Sequence, residues 1–198
     1  MRTTIGEGAA TNPFDDIYKT ENIVVMGSNT TEAHPIVANR MIKAARDKTA
    51  TLSVIDVRQT QLSKFGEQLI IPYEANLLVL NMMAYVILSE NLYNKEFIDE
   101  RCNGFEEYKN SILNDPFANP EFMKNIEGYE SLSEQIPVVA RTYATKKSMF
   151  FWGLGITEHL DGSYAVMAIT HLAMLTGNIG KTGTGLMPLR GQNNVQGA

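Results

Sequence analysis

The sequence predicts an α/β domain built on a doubly wound, mainly parallel sheet. Short apolar runs, rich in β-branched or aromatic residues and closed by a turn residue, recur along the chain, and helical segments separate them. At 198 residues, with 44% hydrophobic and 20% charged positions, the chain has the size and composition of one domain with a substantial core. No fixed-period repeat or low-complexity tract divides it, so residues 1–198 are taken as a single domain.

Residues 1–20 form a lead-in that ends in a short amphipathic turn from Phe14 to Tyr18. The first strand, 22–26, is apolar on both faces and stops at Gly27, and Ser28 to Thr31 is a polar turn. Pro35 opens a helix, its fixed φ suiting the first helical position, with Ile36, Val37, Met41, Ile42 and Ala45 assigned to the buried face. A second strand, 51–55, runs into Asp56-Val57-Arg58, and a short helical turn follows over 59–65. The third strand, 67–71, is closed by Pro72 and followed by a long apolar helix, 75–91. From about 93 to 136 the helices become shorter and more polar, the signature of a helical insertion packed on the sheet. Pro137 is placed at the start of a helix reaching 145, and 148–152 is the fourth strand, ending at Gly153. After a loop over 154–162 and an apolar helix over 163–176, Gly177, Gly180, Gly183 and Gly185 begin a closing loop. Residues 185–198 carry no hydrophobic period and are expected to form an exposed polar loop around Arg190, without fixed order away from packing partners.

Composition excludes several functions. A net charge of −5 with no local basic patch excludes general attraction to nucleic acid or an anionic membrane surface. The most apolar stretch, 77–88, is too short to span a bilayer and is broken by Asn81, so direct membrane insertion is not expected. The lone Cys102 excludes an internal disulfide and a cysteine-only metal site, fits a reducing, cytoplasmic compartment, and is expected to be structural. The three histidines lack the spacing and acidic or thiol neighbours of a zinc site, so no metal ligand is assigned. His171 belongs to an apolar helix and is expected to pack there, whereas His34 is either a helix cap or a ligand contact and His159 lies in an exit loop.

In a parallel sheet, ligands bind beyond the carboxyl ends of the strands. All four predicted exits are polar or glycine-bearing: Gly27 to His34, Asp56 to Arg58, Pro72 to Asn76, and Gly153 to Glu158. Small residues with open amide donors suit phosphate, and a carboxylate at a strand end suits a ribose or a base edge. The first exit is not Gly-x-Gly-x-x-Gly, so a simple nicotinamide dinucleotide domain is a poor match. Structural roles remain open at this stage: Asp56 as a helix cap or as a surface ion pair with Arg58, and Asn29 as a turn residue. Arg190 offers a planar fork for a carboxylate or phosphate, amid Gln192, Asn193, Asn194 and Gln196.

Five stretches together resemble a known family: Val25-Met-Gly-Ser-Asn-Thr-Thr-Glu-Ala-His-Pro-Ile36, Ile55-Asp-Val-Arg58, Trp152-Gly-Leu-Gly-Ile-Thr157, Leu172-Ala-Met-Leu-Thr-Gly-Asn-Ile-Gly180 and Leu189-Arg-Gly-Gln-Asn-Asn-Val-Gln-Gly-Ala198. They are similar to the catalytic subunit of molybdenum- or tungsten-dependent formate dehydrogenases, in the dimethyl sulfoxide reductase superfamily. The resemblance implies a Rossmann-like domain that holds one molybdopterin guanine dinucleotide of a bis(dinucleotide) metal centre. It places Gly27, Asn29, Glu32 and His34 at the pyrophosphate loop, Asp56, Arg58 and Asn76 toward the guanosine end, and Gly153, Leu154, Gly155 and Glu158 along the dinucleotide. It makes Arg190 the residue that orients formate and Gln192 its neighbouring cofactor or substrate contact.

Two departures from the family pattern stand out, Tyr73-Glu74-Ala75 where a glycine turn is usual and Glu158 where glutamine is common. The family's metal-ligating cysteine or selenocysteine, the adjoining histidine and the cysteines of a 4Fe–4S cluster lie upstream of residue 1. The resemblance therefore implies part of a larger subunit, partnered by its remaining domains and by electron-transfer subunits. Taken alone, this stretch is expected to be inactive and to hold no cofactor. A periplasmic parent, a nitrate-reductase-type enzyme and a non-catalytic domain of an electron-transfer complex are the alternatives left open.

Overall fold

The computed structural model describes residues 1–191. Five strands, β1 (Asn22–Met26), β2 (Thr51–Asp56), β3 (Glu67–Ile70), β4 (Ser148–Trp152) and β5 (Gly185–Pro188), form one sheet in the order β3-β2-β1-β4-β5. Every neighbouring pair is parallel. The helices, in chain order, are α1 (Arg2–Ile5), α2 (Thr30–Ala33), α3 (Pro35–Arg46), α4 (Asn76–Ser89), α5 (Lys95–Arg101), α6 (Phe105–Leu113), α7 (Pro120–Met123), α8 (Glu130–Thr145), α9 (Leu154–Thr157) and α10 (Gly162–Thr176). Short 3-10 turns occupy Phe14–Tyr18, Gln61–Phe65 and Pro116–Ala118.

Both faces of the sheet are buried, which is why its strands are apolar at successive positions rather than alternating. Val24, Met26, Phe150, Trp152 and Leu186 point into the larger core, beneath α4, α8 and α10. Ile23, Val25, Met149, Phe151 and Met187 point into the smaller one, shared with α3 and the turn at Gln61–Phe65. α4 packs between α8 and α10 and buries side chains all round, from Val79 to Leu88. The helices of the insertion add Ile98, Ile112, Ala118 and Met123 to the same core, so the insertion is continuous with the domain.

Three sequence expectations need correction. α3 buries Val37, Ala38, Met41 and Ala44; Ile36 is 69% exposed, while Ile42 and Ala45 are partly buried and pack against the same core, and the small alanines Ala38 and Ala44 fit the close approach to β2. α8 begins at Glu130, seven residues before Pro137, and contains that proline. The missing N–H costs about 3 kcal/mol in a helix interior, but Leu132, Ile136, Val139, Ala140 and Tyr143 form one buried stripe through it, and tertiary burial outweighs propensity. Finally, Gly185–Pro188 is a fully buried strand and not part of a polar loop. It is an edge strand, where Pro188 is tolerated, and its exit is fixed by Leu189 N–H donating to the Trp152 carbonyl at 2.8 Å. No helix among the described residues is long and apolar enough to cross a membrane.

Candidate functional site

Strand order places the candidate site. Because the sheet is wholly parallel, all five carboxyl ends share one rim, and the order reverses between β1, whose chain continues to β2, and β4, whose chain continues to β5. A crevice opens at such a reversal because the two exit loops leave in opposite directions. Here it is a cavity of about 500 Å³ above β1 and β4, within the size range of small-molecule sites. A second cavity of about 550 Å³ lies beside it, sharing Gly153, Leu154, Leu189 and Gly191 as a common wall.

Three glycines let the β1 and β4 exits cross closely. Gly27 has φ +59°, a conformation that disfavours side chains, and its carbonyl accepts the Gly155 N–H at 3.1 Å. A Cβ on Gly155 or on Gly153 would lie 2.8 Å from the Gly27 carbonyl oxygen. One on Gly27 would lie 2.8 Å from the Gly155 carbonyl carbon. The glycines are thus required first by one another, before any ligand is considered. Asn76, buried at the start of α4, donates its side-chain amide to the Gly155 carbonyl at 2.9 Å and fixes the same loop from the β3 side.

Asp56 is buried at the end of β2. Its Oδ1 accepts the Arg58 backbone N–H at 3.2 Å, so the Asp56/Arg58 contact is an Asx-type turn rather than an ion pair. Burial pushes the Asp56 carboxyl above its ordinary range, and backbone N–H bonds from Arg58, Val57 and Ser28 with the nearby Arg58 charge only partly oppose this. A desolvated carboxylate facing a cavity is an acceptor for ligand hydroxyl or N–H groups. Across the mouth, Tyr73 and His159 lie with ring centroids 5.1 Å apart, and Tyr73 is 71% exposed. Glu74 follows Tyr73 with φ +67°, the left-handed turn that the sequence makes without a glycine.

Nine residues singled out in the sequence line this one cavity: Gly27, Asn29, His34, Asp56, Arg58, Asn76, Gly153, Leu154 and Gly155. Glu32 and Glu158 do not line it. Glu32 is exposed on the one-turn α2, and Glu158 is exposed at the C-terminal cap of α9, whose turn brings His159 round to the cavity instead. Gln192 lies outside the described residues. Arg190 lines the neighbouring cavity, with Trp152, Thr157, Val166 and the N-terminal residues Met1, Arg2 and Gly8. Its guanidinium donates to the Gly8 carbonyl, and its own carbonyl accepts from His34 Nε2 at 2.6 Å.

Sequence reasoning missed Tyr73, Val57, Leu189 and Gly191 as lining residues. The last two belong to the fifth exit, hidden because a strand of four residues bounded by glycine and proline carries almost no periodicity. The apolar pair Leu186-Met187 between Gly185 and Pro188 was the available signal. His171 packs edge-on to Tyr108 at 4.7 Å, far along α10 from the rim, and burial lowers its pKa. Cys102 is partly buried with its thiol pushed up by burial, an unreactive setting. Among the described residues, no group of three or more His, Cys, Asp or Glu is placed to hold a metal ion.

Comparison with known proteins extends this picture. A family model described as molybdopterin oxidoreductase matches residues 3–198. The chain is 40% identical over 200 residues to formate dehydrogenase H of Escherichia coli (strain K12), a match covering 100% of this chain and 27% of that protein. It is 43% identical over 201 residues to the F420-dependent formate dehydrogenase subunit alpha of Methanocaldococcus jannaschii, covering 100% of this chain and 29% of that protein. The chain thus spans less than a third of the length of these relatives. Among solved structures, acetylene hydratase from Pelobacter acetylenicus superposes with a TM-score of 0.79 over 94% of this chain and 24% of that chain, at 23% identity, a likeness of fold alone.

Proposed function

The chain belongs to the molybdopterin oxidoreductase family, and from that premise we propose that it is the dinucleotide-binding domain of a formate dehydrogenase catalytic subunit. The carrying observation is the pairing of two cavities at the strand-order reversal, one lined by the nucleotide-type exits and the other by Arg190. The family's cofactor is a molybdopterin bearing molybdenum or tungsten, and the donor set here suits its guanine dinucleotide form. The amides of Gly27, Gly153 and Gly155 donate to the Ile55, Met26 and Gly27 carbonyls, so a diphosphate here would draw donors from cavity-lining side chains such as Asn29 and Arg58. The buried Asp56 carboxylate offers an acceptor to ribose hydroxyls or to the N–H edge of guanine, and Arg58 stands beside it. A ligand donor there relieves the desolvation that raises the Asp56 pKa.

When bound, the metal centre supplies the acceptor for the two electrons released from formate. The chain's own contribution is orientation and electrostatics. Arg190 holds the formate carboxylate through charge-assisted N–H bonds, so that its C–H bond is presented in one direction. The shared wall of Gly153, Leu154 and Leu189 keeps that substrate adjacent to the nucleotide cavity. In this reading the 4Fe–4S cluster, the remaining domains and the electron-transfer subunits belong to the parts of the larger protein that adjoin this chain.

Arg190→Lys in the full-length parent tests the reading. Lysine keeps the charge but loses the planar fork, and one charge-assisted bond is worth about 1.5–3 kcal/mol, or a fall in kcat/KM of roughly 10- to 150-fold. Molybdopterin content should stay at the wild-type level. Formate turnover left intact by this variant would point to a domain without a catalytic role for Arg190, and turnover of nitrate without formate would point to a nitrate-reductase-type enzyme.

A further inference from the structure

We propose that His34 is a positioning residue for Arg190, a proposal that rests on Arg190 being the substrate-orienting side chain. The two lie 156 positions apart in sequence, on the exits of β1 and β5, and the His34 Nε2 to Arg190 carbonyl distance is 2.6 Å. A carbonyl oxygen only accepts, so Nε2 carries the proton and donates. The other ring nitrogen, Nδ1, is buried and has no hydrogen-bond partner among the described residues. Burying an unpaired ring nitrogen is unfavourable. His34 is only partly buried, so a ring turned toward water would avoid that cost; the observed orientation instead makes the bond to the Arg190 carbonyl.

Backbone conformation supports the same role. His34 precedes Pro35, which excludes the α region for it; it has φ −138° and ψ 61° and makes no side-chain cap bond to α3. Its side chain is therefore released from capping and reaches across the rim to the fifth exit. Arg190 is then fixed at two points, its carbonyl by His34 and its guanidinium by the Gly8 carbonyl. The His34 anchor ties the loop lining the nucleotide cavity to the loop lining the adjacent cavity. Without His34, the backbone of this exit is tied to the sheet by the Leu189 N–H to Trp152 carbonyl bond, and the Arg190 side chain by Gly8. Positioning by His34 replaces the direct pyrophosphate contact that the resemblance implies for it.

The test uses the full-length, cofactor-loaded parent with H34A and H34Q. Trypsin cuts after Arg190 only when the Arg190–Gly191 backbone leaves its place, so this cleavage, followed by mass spectrometry, reports the anchor without any turnover. H34A is expected to be cut there about tenfold faster than wild type, the scale of one lost hydrogen bond. Its formate KM is expected to rise by about tenfold, with the larger part of the loss in KM rather than kcat, and metal and nucleotide content unchanged. H34Q retains an N–H donor and is expected to recover part of both effects. Equal cleavage rates in wild type and H34A would overturn the proposal. So would loss of cofactor in H34A with an unaltered KM in the loaded fraction, because His34 would then be a cofactor ligand. Absence of formate turnover in wild type would sink the reading of Arg190 itself, and the cleavage comparison would still decide whether His34 anchors the loop.

Discussion

Replacing Gly155 by alanine separates two explanations of the glycines at the rim. If Gly27, Gly153 and Gly155 serve only to admit a phosphate, Gly155→Ala lowers ligand affinity and leaves the ligand-free protein unaffected. The structure argues otherwise, since the new Cβ would lie 2.8 Å from the Gly27 oxygen, 2.9 Å from its Cα and 3.1 Å from its carbonyl carbon. Ordinary contacts between such atoms fall at about 3.5–4.0 Å, so the two exits must part by roughly half an ångström or more. No side chain can rotate away, because every clashing atom is backbone.

Such overpacking costs about 1–3 kcal/mol, and parting the loops also weakens the 3.1 Å Gly155 N–H to Gly27 carbonyl bond, worth about 1 kcal/mol. Alanine's better helical propensity at this position in α9 returns about 0.5–1 kcal/mol. The net loss is about 1–3 kcal/mol, which for a chain of this size lowers Tm by roughly 2–12 °C. Thermal melts without nucleotide measure it directly. Gly8→Ala is the control, because nothing lies within 4 Å of its Cβ, and its change should stay within about 0.5 kcal/mol. If Gly155→Ala melts together with wild type and the Gly8 control, the mutual-packing argument is wrong and the glycine is there for the ligand.

Two further substitutions probe the same rim. Asp56→Asn keeps the shape and an acceptor for the Arg58 N–H but removes a carboxylate whose pKa burial has raised. A raised carboxyl pKa gives stability that is full below the unfolded value and lost as pH rises through the folded one. Wild type should therefore fall behind the variant as pH climbs above the usual aspartate range, while guanine nucleotide affinity drops in the variant. Urea titrations at a series of pH values give the sign, and a gap that widens toward acid pH would contradict it. Asn76→Ala leaves the Gly155 carbonyl without its 2.9 Å donor and should cost about 1–3 kcal/mol; a Tm equal to wild type would mean that water replaces the amide at no cost.

The sheet was legible because burial on both faces writes itself into sequence as continuous apolar runs. β1 and β4 lie at the boundaries that Asn22 to Gly27 and Ser148 to Gly153 imply. β5 was not legible, because four residues between a glycine and a proline are held by pairing with β4 and not by any local preference. Pro137 misled for the opposite reason: a strong local rule placed a helix start there, and the buried stripe from Leu132 to Tyr143 overrode it. At the site, nine of the residues that the family resemblance picks out lie on strand exits and line one cavity, since topology puts carboxyl ends together. Glu32 and Glu158, picked out by the same resemblance, are exposed on the one-turn helices α2 and α9 and do not line it.

That division of labour bears on what distinguishes members of this fold. Acetylene hydratase shares the architecture at 23% identity, a likeness of fold alone, so the sheet and its crevice by themselves do not fix a function. In this chain β5 brings Arg190 to the rim beside that crevice. Without β5 as a fifth parallel strand, Arg190 would be held by its contacts with His34 and Gly8 and would lose its tie to the sheet beside Gly153 and Leu154. With it, the pairing of Trp152 with Pro188 sets the height of the loop, and the 2.8 Å bond from Leu189 to Trp152 sets its direction. His34 then joins it to the β1 exit. On the reading proposed above, Arg190 needs placement within about half an ångström to act on a transition state, and ties to both the β4 and β1 exits restrict it more than either alone.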